Sequence, residues 1–309
     1  MARTVSERTC ASSGLTLVTR RHPLLGMAML RAVFALSLPV LAFSACRPAA
    51  PLDAIRGQAP PLPPSHPAVT AVLAPPNPQA PSSPAKAPAL TQVFIRGIHF
   101  EGASFDALSH RLLVIDQPNG PASTFATSQE VARQHDALLA LNAGFFTPDG
   151  DPLGLVISKG KHTGAWNSAS SLGSGIFSES ATGHLSITRR GSPTAFLDAR
   201  ELIQAGPLLT ENGGAVGGLD AGKIAVRSIL LTDGGTRWWI GKTSACSLAA
   251  LGEALASQSP ASWPVQHAIN LDGGRSTDLY VSARIPGGSF ERRSFLNRPV
   301  RNFLILKPK

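Results

Sequence analysis

Ala268-Ile269-Asn270-Leu271-Asp272-Gly273-Gly274-Arg275-Ser276-Thr277-Asp278-Leu279-Tyr280 changes character more sharply than any other stretch of this chain. An apolar run of Ala268, Ile269 and Leu271 leads into a carboxylate, two glycines, a cation and two hydroxyls. That order reads as a buried strand ending in a tight turn with polar side chains at its mouth. Glycine has no Cβ, so Gly273 and Gly274 permit positive φ or a close backbone approach. Asp272 would then be held at a strand end, with Arg275 and Ser276 just behind it. The same residues also fit a strand followed by an Asp-Gly hairpin turn, which needs no ligand. The choice rests on the rest of the chain.

The 309 residues are 43% hydrophobic and only 15% charged, which suits one large, well-packed and lightly charged domain. The formal charge of +9 is unevenly spread. Residues 1–46 hold five arginines and one glutamate, and no cluster of Lys and Arg follows, so nucleic acid is not the expected partner. Ala32 to Phe43 is a largely apolar run of twelve residues behind Arg20, Arg21 and Arg31, too short to span a bilayer as a helix but suited to a signal peptide. It ends Phe43-Ser44-Ala45-Cys46, which is similar to the lipobox of bacterial lipoproteins. Residues 1–46 are therefore expected to direct export, with Cys46 as the site of lipidation and membrane attachment. Thirteen of the 26 prolines lie between Pro48 and Pro88, so residues 47–91 read as an extended linker. The folded domain is expected over residues 92–309.

Within it, Val93–Ile95, Leu112–Ile115, Ala137–Leu141, Gly154–Ile157, Ile224–Leu231, Trp238–Ile240, Ile269–Leu271, Leu279–Val281 and Phe303–Leu306 read as strands. Ile176-Phe177 and His184–Thr188 form a hairpin about Thr182-Gly183. Ser128 to His135 and Ser247 to Ala256 fit short helices, the latter with Leu248, Leu251 and Leu255 on one face. Asp198 is read as capping a third, ending near Ile203. Trp238-Trp239 reads as one core and one surface residue. Hairpins outnumber strand–helix–strand units, so the expected class is α+β: mixed, mostly antiparallel twisted sheets with a few flanking helices in a single domain.

Four segments share one form, an apolar strand ending in a polar residue or a glycine: Asn142-Ala143-Gly144-Phe145-Phe146, Gln204-Ala205-Gly206-Pro207, Arg227-Ser228 and Asn270-Leu271-Asp272-Gly273-Gly274. In this order, with the later Arg298-Pro299-Val300 and Asn302, the set resembles the phosphodiester glycosidase family over roughly residues 92–309. The chain departs from that pattern at Arg275, where the family has a third glycine. The resemblance implies a hydrolase acting on a sugar-1-phosphodiester. Cleavage of the glycosidic C–O bond passes through an oxocarbenium-like state that a carboxylate can stabilise, attack or serve as base. Asp272, Arg227 and Asn142 are the catalytic candidates, with Asp272 the carboxylate and Arg227 neutralising the phosphate bidentately. Asn270, Gly273, Gly274, Arg275, Ser276, Gly144 and Ser228 are the substrate-binding candidates. Asn142 and Asn270 are expected to bond sugar hydroxyls, and the amides of Gly273 and Gly274 to hold phosphate oxygens. Asp233 reads as a hairpin turn residue, His267 as structural and Cys246 as a buried thiol. No His-x-x-x-His or Cys-x-x-Cys pair points to a metal, and no cofactor is implied.

Overall fold

A computed structural model describes residues 87–309. The expected signal peptide, Cys46 and nearly all of the expected linker lie outside the described residues. The first strand, Ala89–Ile95, begins three residues before the expected start at Gln92.

Three sheets make up the domain, and every strand pair in them is antiparallel. The first sheet has seven strands in the spatial order Ala89–Ile95, Ile98–Asp106, Arg237–Thr243, Ser228–Thr232, His267–Asn270, Leu208–Glu211 and Gly214–Ala215. The second runs Phe290–Arg293, Asp278–Val281, Leu139–Asn142, Asn302–Pro308 and His110–Asp116. The third runs Lys161–Thr163, Val156–Ser158, Glu201–Ala205, Gly175–Glu179 and Leu185–Arg189. Two α-helices, α1 (Ser128–Gln134) and α2 (Leu248–Ser257), accompany them. The architecture is thus mostly antiparallel β, and α+β describes it only coarsely.

Period-two alternation places the core. Leu139 and Leu141 face a central cluster while Ala140 faces α1; Leu304 and Leu306 join the centre while Phe303 and Ile305 turn outward. In the first sheet Leu230 points to the same centre, and Ile229 and Leu231 point to α2. All three sheets contribute to the central cluster, so the inner sheet faces are apolar without exception at these positions. Both helices carry hydroxyl caps: Thr127 accepts from the Glu130 amide and Ser247 from the Ala250 amide.

Two expectations need correction. Asp198 caps no helix through Ile203; Glu201–Ala205 is a strand. Its polar side chains are buried braces that hide the strand pattern. Glu201 Oε2 accepts from the Val114 amide of the second sheet, and Gln204 Oε1 accepts from the amides of Leu155 and Asn167. Trp238 and Trp239 are both fully buried, because this sheet is covered on both faces. Trp238 packs with Phe105 and Phe177 at the centre, and Trp239 with Phe100 on the α2 side. Gly102 and Gly241, paired across neighbouring strands, leave the space that the Trp239 ring fills. A Cβ on Gly102 would overlap the Ile240 carbonyl oxygen and stand 2.7 Å from Trp239 Cζ2. Gly102→Ala is therefore expected to destabilise the domain by about 2 kcal/mol or more, read as a lower urea midpoint at unchanged m-value.

Candidate active site

Antiparallel register brings the chemistry-bearing segments together. Asn270 ends its strand opposite Ile229, so the residues that follow Asn270 run beside those that precede Ile229. The Leu271 amide donates to the Ser228 carbonyl and the Gly274 amide to the Val226 carbonyl, both at 2.8 Å. The Asp272 amide donates at 2.8 Å to the Ala143 carbonyl, joining this edge to the end of Leu139–Asn142 in the second sheet. Strand ends of two sheets thus meet at Asp272.

The glycines have distinct reasons. A Cβ on Gly273 would lie 2.6 Å from the Val226 carbonyl oxygen, so this position needs close backbone approach. Gly274 has φ +63 and open space around it, so there the left-handed backbone is the requirement. The 3₁₀ turn Gly274–Ser276 then places Ser276 beside Asp272 in the second cavity.

Two adjoining cavities share Phe145, Lys223, Asp272, Gly273 and Gly274. The first, about 300 Å³, adds Pro207, Asp220, Arg227 and Asn270 to the wall. The second, about 400 Å³, adds Phe146, Arg275, Ser276 and Arg298. Burial pushes Asp272 up from an ordinary 3.8 to about 6, against the bonds from Ser276 and the Gly273 amide and the charges of Arg298 and Lys223. Arg227 is buried, and burial works against its charge too. Its Nε donates to the Cys246 carbonyl at 3.2 Å and an Nη to the Lys223 carbonyl at 2.6 Å. Among the described residues, no carboxylate lies within 4 Å of Arg227. Asn270 donates to the Gly206 carbonyl at 2.9 Å, while its buried Oδ1 has no protein partner.

Several sequence-assigned roles change. Asn142 is fully buried and braces the site: Nδ2 donates to the Asp272 carbonyl at 2.6 Å, and Oδ1 accepts from Ser228 Oγ at 2.7 Å and the Asp278 amide at 3.1 Å. Neither Asn142 nor Ser228 is free to bond a sugar. Gly144 is likewise structural, its amide donating to Asn302 Oδ1 at 2.6 Å. The Gly274 amide is held by the Val226 carbonyl at 2.8 Å and so is not turned to a phosphate, while Gly273 lies in the walls of both cavities. Arg275 Nε donates to the Leu296 carbonyl at 3.0 Å; the cations acting on Asp272 are Arg298 and Lys223. Arg227 precedes its strand, which begins at Ser228 rather than Ile224. Arg298, Lys223, Phe145 and Phe146 were not among the candidates. Phe145 and Phe146 follow Asn142 in one motif and Arg298 opens another, whereas Lys223 has no sequence signal beyond its glycine-rich loop. Asp233 is the expected turn residue, accepting from Gly235 and Arg237. Cys246 is buried against α2, which pushes its thiol up.

A family model described as phosphodiester glycosidase matches residues 135–307, more than half of the chain and all of the cavity-lining residues named above.

The chain belongs to the phosphodiester glycosidase family.

Among solved structures it is similar to a hypothetical protein from Synechocystis, at 18% identity and a TM-score of 0.54, over 71% of this chain and 61% of that one. It is also similar to the zebrafish N-acetylglucosamine-1-phosphodiester alpha-N-acetylglucosaminidase catalytic domain, auto-inhibited by its pro-peptide, at 19% identity and a TM-score of 0.51, over 75% of this chain and 86% of that one. These likenesses are of fold. No curated protein sequence matches the chain.

The raised Asp272 makes a thermodynamic prediction with a definite sign. A carboxyl that titrates near 6 when folded and near 3.8 when unfolded costs the fold nothing below both values and its full amount above pH 6. Asp272→Asn should therefore stabilise the protein at pH 8 by on the order of 1–3 kcal/mol, the gain fading below about pH 4. Urea unfolding at the two pH values reads this directly.

Proposed function

We propose that this family member is an exported hydrolase that cleaves the glycosidic C–O bond of a sugar-1-phosphodiester in an envelope glycoconjugate. The observation that carries the reading is one cavity lined by a carboxylate, Asp272, and a buried guanidinium, Arg227, that are not paired with each other. A sugar phosphate brings the complement of both: an anomeric carbon that becomes cationic and a phosphate that stays anionic.

Water adds to the anomeric carbon as the C–O bond breaks, and the bonding electrons leave on the phosphate oxygen. The products are a reducing sugar and a phosphomonoester. The phosphomonoester is already a good leaving group, so charge neutralisation matters more than proton donation. Arg227 in the first cavity and Arg298 and Lys223 beside Asp272 supply that charge. Asp272 stabilises the developing cation, attacks it, or takes the proton of the incoming water. The unpartnered Oδ1 of Asn270 is an acceptor suited to a sugar hydroxyl.

A non-catalytic carbohydrate-binding protein is the competing reading, and Arg275 in place of the family glycine is what favours it. The engagement of Arg275 with Leu296 makes it part of the cavity wall and leaves room beside Asp272. Released reducing sugar from a panel of sugar-1-phosphodiesters distinguishes the two; binding without turnover by the wild type would favour the second. Asp272→Asn is expected to lower kcat by roughly 10²–10³, the usual loss when a preorganised charge is removed. Arg227→Lys keeps the charge but loses the planar fork, so it should raise KM as well as lower kcat, because phosphate is charged in both ground and transition states.

Export and attachment through Cys46 belong to the same proposal. They are supported by the apolar run, the Ser-Ala-Cys ending and the proline-rich segment. Cys46→Ser should move the protein from the membrane to the soluble envelope fraction; equal distribution of both forms would leave secretion without a lipid anchor.

A further inference from the structure

The second cavity carries on its rim a feature that hydrolysis at Asp272 does not require. Between Phe290–Arg293 and Asn302–Pro308 the chain makes a turn at residues 294–298 that is pinned from within. The Asn297 amide donates to the Ser294 carbonyl at 2.9 Å, an Nη of Arg293 to Asn297 Oδ1 at 3.0 Å and Asn297 Nδ2 to the Thr277 carbonyl at 3.0 Å. Arg275 Nε holds the Leu296 carbonyl at 3.0 Å, and the Arg298 amide returns a bond to the Arg275 carbonyl at 2.8 Å. The turn so held presents two adjacent apolar side chains to solvent, Phe295 at 101% and Leu296 at 63% exposure.

A single exposed apolar residue is ordinary. Here two neighbours on a fixed turn are flanked by cations that close no ion pair. Arg275 and Arg298 have no carboxylate within 4 Å among the described residues, nor has Lys223, which lines both cavities next to the exposed Ile224. Arg293, in contrast, is paired with Asp278 at 3.3 Å and Glu291 at 3.6 Å, and belongs to the scaffold. Apolar tips beside cations that close no ion pair match the surface of an anionic bilayer, where the tips enter the acyl boundary and the cations meet the headgroup charge.

We propose that residues 294–298 form a membrane-docking rim that seats the second cavity against an anionic phospholipid surface, and that the diester taken at Asp272 is lipid-linked. The substrate part of this proposal rests on the glycosidase reading above. Arg298 and Lys223, two of the cations assigned to the phosphate, line the second cavity and Arg298 closes the turn, so the second ester of that phosphate leads out of this cavity toward Phe295 and Leu296. A lipid on that ester stays in the bilayer while the sugar reaches Asp272.

The test uses the full chain with vesicles of phosphatidylcholine and phosphatidylglycerol. Amide hydrogen exchange reads residues 294–298 separately from any other segment that touches lipid. Burying Phe295 and Leu296 should slow exchange there by roughly tenfold or more in the wild type, and Phe295→Ser/Leu296→Ser should abolish the slowing. In parallel, a dialkylglyceryl sugar-1-phosphodiester in the same vesicles is compared with a methyl sugar-1-phosphodiester in solution. The double variant should hydrolyse the vesicle diester about tenfold more slowly and the methyl diester at the wild-type rate. Unchanged exchange at residues 294–298 in the wild type, or a double variant as fast as wild type on the vesicle diester, overturns the proposal. A wild type that hydrolyses neither diester overturns the glycosidase reading and the lipid-linked substrate with it, while the exchange result still decides the docking rim.

Discussion

The buried carboxamide of Asn142 is the constraint on which the rest of the site depends. It donates to the Asp272 carbonyl and accepts from the Ser228 hydroxyl and the Asp278 amide, binding strand ends of the first and second sheets to one point. Only a side chain with a donor and an acceptor on one rigid plane satisfies all three groups. Left without partners in the interior, each of them would cost about 1–3 kcal/mol. The backbone of Asp272 is therefore placed by the packing of two sheets, and the turn after it has little freedom. Gly273 can pass against Val226 and Gly274 can reverse the chain because neither carries a Cβ.

Much of this was legible in the sequence. The strand–turn character of Ile269 to Gly274, the helices behind Thr127 and Ser247, and the hairpins at Thr182-Gly183 and Asp233-Gly234-Gly235 all follow from local chemistry. Asp272 and Arg227, which line one cavity, stand out in the sequence because each adjoins an apolar strand. What escaped the sequence has physical causes. Glu201 and Gln204 are buried, but as braces between elements, so their strand has no polar face to give it away. Ile98–Asp106 is interrupted by Gly102, which looks like a turn residue until the Trp239 ring is seen beside it. Asn142 looked like a ligand for sugar because sequence shows that an amide stands at a strand end, and only packing shows which way its polar atoms are used. Lys223 and Arg298 reach the cavities from loops, where spacing carries no information about direction.

The charges share one pattern. Asp272 is held above the ordinary carboxylate range by burial, Arg227 is buried with no carboxylate within 4 Å among the described residues, and Arg275, Arg298 and Lys223 close no ion pair at the rim although two of them act on Asp272. None of this stabilises the fold; each departure from pairing is a cost that a charged ligand would offset. An arrangement of this kind favours a substrate that is anionic at one end and becomes cationic at the neighbouring atom.

The central claim concerns which bond of the diester breaks, and hydrolysis in heavy-oxygen water tests it most directly. Attack at the anomeric carbon beside Asp272 places the heavy oxygen in the released sugar and none in the phosphomonoester, read by mass spectrometry of both products. Heavy oxygen in the phosphomonoester would mean attack at phosphorus, and would contradict the role of Asp272 at the anomeric carbon.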